Sequence, residues 1–417
     1  MAEELGFFTK EETASPHMTK GMRTTCPNCG LYRNCNTPKM APYGNFKKGI
    51  LNIGSFPGPR EDKNGKPWQG QTGQILKRAY KSFGIDLFED CLNINACSCR
   101  TPDDRKPEPA EINCCRPRVL DVIQRTKPHL IILLGNSAVQ SVIGNRWKKN
   151  LDGIDRWRGW NIPDQDFQAW VCPTFHPERI ETSAKYPEVE TVWMQDLEKA
   201  FSFIEEPFPR RTLEEYKSCV EIIEDQRGIA DVLSILGTIG GTSELIVTDI
   251  ESTGLKPHRE GHEIACVSLC RYPDKSYVFP WPQREKRLIQ FARLLRNPSL
   301  YWGGHNIKFE SAWFQHFLGV SSREINWAID TMYGAHYDDN RPKASSLKFR
   351  TYIHFGIADY DSEISSWLES DSKDANSLNR VMELMRERPE LLMGYCGLDS
   401  LFTRLLANVQ MPLIMPF

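Results

Sequence analysis

No stretch of the 417-residue sequence approaches the ~18 consecutive apolar residues that a membrane-crossing helix requires. The opening MAEELGFFTKEETASPHMTKG is polar and acidic rather than basic and then apolar, so a secretory signal is not expected either. Charge of one sign is also missing. The net charge is −2, which gives no global field for a polyanion, so any contact with nucleic acid has to come from local patches. There is no internal repeat and no low-complexity tract. The 13 cysteines are an odd number without an export signal, so a disulfide scaffold is not expected, and a metal or cluster site is the better use for some of them.

What is present reads as globular protein. With 40% hydrophobic and 25% charged residues, the chain has ordinary core-forming composition, and its length implies two domains. The expected division is an N-terminal arm (1–22), a first domain (23–208), a linker with a helical segment (209–243) and a second domain (244–417). In the first domain GILNIG, CLNIN (91–95), LIILL (130–134) and WVCPTF (170–175) read as strands alternating with helical patterns, which predicts a parallel α/β sheet. In the second domain ELIVTDIE, HEIACVSLC and KSYVFPW precede helical sequence, which predicts a mixed sheet.

The loop GSFPGPREDKNGKPWQGQTG (54–73) leaves the first strand with far more Gly and Pro than a turn needs, and carries an acid pair and a tryptophan. Open α/β folds place ligand sites at such strand ends. Cys26 and Cys29 form a CxxC, and Cys99 and Cys115 follow with Cys97 and Cys114 beside them. Soft thiolates gathered this way suit zinc or an iron–sulfur cluster. Cys91, Cys172, Cys219, Cys266, Cys270 and Cys396 read as scattered buried cysteines. The runs RWKKN (146–150) and RWRGW (156–160) interleave basic and aromatic residues, as a phosphate-gripping surface would, or as a plain helix end and loop.

The ordered motifs CPNCGL, GSFPGPREDKNGKPWQGQTGQIL, NACSCRTPDDRKP, EINCCRP, LLGNSA and PTFHPERI resemble those of the family 4 uracil-DNA glycosylases over roughly residues 24–205. The resemblance implies a [4Fe–4S] cluster on Cys26, Cys29, Cys99 and Cys115. It also implies a uracil slot made by Gly54, Ser55, Glu61, Trp68, Asn95 and His176. Trp68 offers a flat face, Asn95 reads the base edge, and His176 donates to O2 as charge develops on the leaving uracil. One residue departs from the family pattern: Ser55 stands where a glutamate is usual. A hydroxyl supplies neither a carboxylate's charge nor a base at neutral pH. Three outcomes stay open: Glu61 takes over, activity is reduced, or another base is accepted.

In the second domain, VTDIESTG puts Asp249 and Glu251 on one face of a strand, since residues two apart point the same way. GHNIKFES adds Asn306 and Glu310, and YCGLDS adds Tyr395 and Asp399 at i,i+4 spacing. Four acids of this kind imply two divalent cations, Mg²⁺ or Mn²⁺, with Tyr395 orienting the attacking water. The set resembles the DEDD 3′–5′ exonucleases, in particular the RNase H-like proofreading domain of family A DNA polymerases, over about 244–410. Glu310 stands where that family has Asp, and Asp330 matches a position near the site.

The whole is expected to be a replication and repair enzyme. It would excise uracil from DNA and trim single-stranded or frayed 3′ ends, as part or partner of a polymerase, in the cytoplasm of a bacterium or virus-infected cell and away from membranes. The alternative keeps the exonuclease and makes the first domain a non-catalytic clamp for uracil-containing or single-stranded DNA.

Overall fold

The computed structural model describes residues 29–147, 150–238, 245–370 and 377–414. The expected N-terminal arm and Cys26 lie outside the described residues, as does most of the GTIGGTSE connection. The chain divides into two units between Arg210 and Arg211. Among the described residues no helix is long and apolar enough to cross a membrane.

The first unit is built on β1 (Ile50–Gly54), β2 (Cys91–Asn95), β3 (Leu130–Leu134), β4 (Ile162–Asp164) and β5 (Ala169–Thr174), in spatial order β2-β1-β3-β5-β4. β1, β2, β3 and β5 run parallel, and β4 closes one edge antiparallel to β5. β1 and β3 are buried at every residue, as the unbroken apolar sequence of β3 requires of a strand covered on both faces, and Asn52 within β1 is satisfied by Asn93 and Tyr80. The chain leaves β1 toward β2 on one side and leaves β3 toward β5 on the other. This reversal opens a crevice between the carboxyl ends of β1 and β3, where doubly wound folds bind ligands.

The second unit carries a six-stranded mixed sheet of β6 (Val220–Ile222), β7 (Leu245–Ser252), β8 (Ile264–Tyr272), β9 (Lys275–Pro280), β10 (Tyr301–Gly304) and β11 (Trp327–Asp330). The order is β11-β10-β7-β8-β9-β6. β7, β8 and β9 form an antiparallel meander, while β10 and β11 lie parallel to β7 on its other side, which is the RNase H-like arrangement. Alternate residues of the meander enter different cores. Val267, Leu269 and Phe279 pack with Trp302, Trp313 and Phe291, whereas Ala265, Cys266 and Val278 pack with Leu392, Met393 and Cys396.

Two expectations are corrected here. Residues 209–243 do not form a linker where they are described. β6 pairs with β9, and Ile229, Val232, Leu233 and Leu236 of the helix Gln226–Gly237 belong to the core. Strands also do not end before the helices begin. β10 and β11 are four residues each and were too short to stand out, yet Trp302 is fully buried because β10 lies against β7.

Candidate functional site

In the first unit the loop after β1 and the loop after β3 meet. Ser55 Oγ donates to Ser137 Oγ at 2.8 Å, across the crevice. A cavity of about 310 Å³ opens there, with Ser55, Phe56, Lys106, Ser137 and His176 among its lining. Gly54 has to be glycine. A Cβ on it would fall 2.5 Å from Asn95 Oδ1 and 3.0 Å from the Trp68 ring, so these two side chains pack directly over Gly54 and leave no room for a larger residue. Trp68 faces His176 with ring centroids 5.8 Å apart, and its indole N–H donates to Asn93 Oδ1 at 3.0 Å, which fixes the ring. A Cβ on Gly135 would come within 2.9 Å of His176 Cβ, so the loop after β3 also packs directly on the histidine.

His176 follows β5 by two residues and caps the helix Pro177–Thr182. Its Nδ1 accepts the Glu178 backbone N–H at 3.3 Å, which leaves the ring proton on Nε2. Burial pushes its pKa down to about 4, so the ring is neutral near pH 7. The acid pair of the loop proves to be two clamps. Glu61 Oε1 accepts the backbone N–H groups of Gln69 and Gly70 at 2.8 Å each, which pins the turn carrying Trp68. Asp62 accepts from the backbone of Asn36 and Thr37 and holds the segment that follows Cys29. Glu61 Oε1 is therefore engaged by its own loop.

The basic–aromatic runs are structural where they are described. Trp157 is fully buried against Trp147, Arg156 is buried and bonds Asn150 O and Asp152, and Arg158 makes a two-pronged pair with Asp196. Lys148 and Lys149 lie outside the described residues.

Of the expected cluster ligands, Cys29, Cys99 and Cys115 are described and lie beside other thiols. Contact with Cys29 and Cys97 drives the Cys115 thiol pKa far up, and contact with Cys35 followed by burial does the same for Cys99. Cys35 was missed in the sequence reading. The only local signal for it is a third cysteine six residues after Cys29, which spacing alone does not interpret. Crowded, buried thiols that resist ionisation alone are a donor set that a soft metal would relieve, so the residues fit such a group.

In the second unit the acids converge from three elements. Asp249 and Glu251 come from β7, Glu310 from the first turn of the helix Ile307–Leu318, and Asp399 from the helix Pro389–Ile414. Asp249, Glu251 and Cys396 bring ligand atoms within 4.8 Å of one another. Burial raises the pKa values of Asp249, Glu251 and Glu310, and the next cause in each is a neighbouring carboxylate. Glu310 is 2% exposed, and its buried Oε2 has no hydrogen-bond partner. Buried like charges with an orphaned oxygen fit divalent cations.

Asp330 instead serves the backbone. Its carboxylate accepts from Asn306 N and Ile307 N at 3.0 Å, and from Met332 N at 2.9 Å. It thereby holds Asn306 in a left-handed conformation (φ 75°) at the start of the Glu310 helix. Tyr395 is buried one turn before Asp399. Two residues absent from the sequence reading join it: Tyr360, whose hydroxyl donates to Asp399 Oδ1 at 2.6 Å, and Lys348, whose Nζ lies 2.6 Å from the same oxygen. Beside Glu251 a cavity of about 350 Å³ is lined by Leu255, Phe309 and Asn379 among others.

Comparison with known proteins matches residues 41–198 to the uracil DNA glycosylase superfamily. The type-4 uracil-DNA glycosylase of Saccharolobus solfataricus is 32% identical over 179 residues, covering 42% of this chain and 79% of that protein. That of Thermotoga maritima is also 32% identical, covering 43% and 89%. A DNA polymerase of Bacillus phage SP01 is 24% identical over 356 residues, which is 78% of this chain but only 36% of the polymerase. Among solved structures, Trypanosoma brucei RNase D superposes with a TM-score of 0.37 at 15% identity, covering 47% of this chain and 65% of that one, a likeness too distant to decide anything. The matched segment holds the crevice of β1 and β3, Gly54 with Trp68 and Asn95 packed over it, and the capping histidine. Through this N-terminal part the chain belongs to the type-4 uracil-DNA glycosylase family.

Proposed function

We propose that the chain excises uracil from DNA with its first unit and removes nucleotides from 3′ ends with its second. For excision the carrying observation is the cavity at the end of β1, lined by Ser55, Phe56 and His176, with Trp68 and Asn95 packed over the adjoining Gly54. A flipped base would lie against Trp68 with Asn95 on its hydrogen-bonding edge. The neutral His176, with its proton on Nε2, would donate to the uracil oxygen that gains charge as the glycosidic bond breaks. Cys29, Cys99 and Cys115, with Cys26, would hold a [4Fe–4S] cluster whose part is to brace the surrounding loops.

For the second unit the carrying observation is the set of buried Glu251, Glu310 and Asp399 with half-buried Asp249, and its orphaned oxygen. Two divalent ions held there would supply the charge that activates a water and steadies the departing 3′ oxygen. Tyr395 would orient that water, and the cavity beside Glu251 would take the unpaired terminal nucleotide. Single-stranded and frayed ends are accordingly the preferred substrates. The likeness to a phage polymerase supports a role beside DNA synthesis, as part or partner of such an enzyme.

A second reading, in which the first unit only binds uracil-containing or single-stranded DNA, is favoured by one observation. Ser55 brings no carboxylate to the cavity, and its hydroxyl is engaged by Ser137. Uracil release from a uracil-containing oligonucleotide in EDTA, measured beside Mg²⁺-dependent shortening of an unmodified strand, tests both activities. Release without metal supports excision, and tight binding with no release, even by Ser55→Glu, establishes the clamp.

A further inference from the structure

Lys348 lies in the helix Leu347–Phe355, 51 residues before Asp399 in sequence, and its ammonium bonds Asp399 Oδ1. Its side chain is 17% exposed and that of Asp399 10%, so the 2.6 Å pair is little screened by solvent. The nitrogen stands 3.9 Å from the ring centroid of Tyr360 and 4.1 Å from that of Tyr395, so two aromatic faces hold it in place. A lysine with only a packing task would run its stem along apolar surface and leave its charge in water. Here the charge points onto Asp399 and the faces of Tyr360 and Tyr395.

A carboxylate oxygen offers about two lone-pair directions. On Asp399 Oδ1 both are taken, one by Lys348 Nζ and one by the Tyr360 hydroxyl. A cation that claims this oxygen has to displace one of them. The tyrosine ring is fixed by packing against Phe402, whereas the ammonium sits on a flexible four-carbon stem with three donors to redirect. The only anionic group a nucleic-acid end brings to this place is its phosphate.

We propose that Lys348 is a further functional cation of the phosphodiester site: it neutralises Asp399 until a divalent ion takes that oxygen, and then pairs with the phosphate being cleaved. The inference rests on the exonuclease reading above. It gives Lys348 two effects of opposite sign, because a resident positive charge resists an incoming cation and favours an incoming anion.

Lys348→Met keeps the length of the side chain and removes the charge. Mn²⁺ affinity, followed by electron paramagnetic resonance of the free ion, should tighten on the order of fivefold or more, as for unit charges ~4 Å apart screened as strongly as in water. At saturating Mn²⁺ the kcat for a single strand should fall by on the order of tenfold or more. A merely structural lysine could tighten metal binding when lost, but its loss would not lower kcat at saturating Mn²⁺. If Lys348→Met does not fold, Lys348→Gln carries the same pair of expectations. Unchanged or weakened Mn²⁺ binding, or an undiminished kcat, overturns the proposal. Wild-type protein that neither binds Mn²⁺ nor shortens DNA overturns the exonuclease reading itself, so the two failures are distinguishable.

Discussion

Replacing Asp249 by asparagine should move stability and activity in opposite directions. Asp249 and Glu251 present ligand oxygens within 4.8 Å of each other, both in a buried setting that raises their pKa values. Two unit charges at that separation repel by roughly 3 kcal/mol at an effective dielectric constant of about 20. Lys348 offsets part of this, so a gain of about 1–3 kcal/mol is expected when one charge is removed in EDTA. For a unit of this size that is a rise in Tm of roughly 3–10 °C, readable by scanning fluorimetry.

The sign with pH follows from the same shifts. A carboxyl whose folded pKa is raised contributes stability that is present below its unfolded value and lost as pH rises, so metal-free wild type should be more stable near pH 5 than near pH 8. Asp249→Asn should flatten that slope. In Mg²⁺ the order reverses: wild type gains stability from the bound ions, and the variant, short of one ligand, gains less and shortens DNA slower by orders of magnitude. A variant that is less stable than wild type in EDTA, or that degrades DNA at the wild-type rate, would refute the reasoning.

Asn95→Ala removes the group that reads the base edge and should lower uracil release at least a hundredfold while leaving 3′ shortening unchanged, as paired assays on one preparation would register. Ser55→Glu returns a carboxylate to the cavity and should raise the rate of release; a fall would mean that the Ser137 contact matters more than the missing charge. His176 is held neutral with a pKa of about 4, so release should show no histidine step between about pH 6 and 9. The same depressed value contributes stability that is full above the unfolded pKa of ~6.5 and fades as pH falls toward 4, by about 2–3 kcal/mol in all, measurable by urea titration. Protein purified in air should be brown, with about four iron and four sulfide per chain, and colourless protein carrying stoichiometric zinc would replace the cluster with a zinc site.

The features legible in the sequence are those set by neighbours along the chain. An unbroken apolar run makes β3 an interior strand, because nothing but a doubly covered position can hold LIILL. The two-residue period put Asp249 and Glu251 on one face of β7, and the helical repeat put Tyr395 one turn from Asp399. Gly54 and the loop after it announced a ligand site by their composition alone. The tertiary structure decided which distant groups complete each site. Whether Glu61 faces a base or grips the amides of Gln69 and Gly70 depends on how its loop closes, and whether Cys35 meets Cys99 depends on a contact across 64 residues that leaves no periodic trace. Lys348 and Tyr360 belong to Asp399 only because the helix that carries the lysine and the turn that carries the tyrosine pack beside it. Local pattern follows from the fixed geometry of helix and strand, while the placing of a lysine against a carboxylate follows from packing of the whole core, and only the folded chain contains that information.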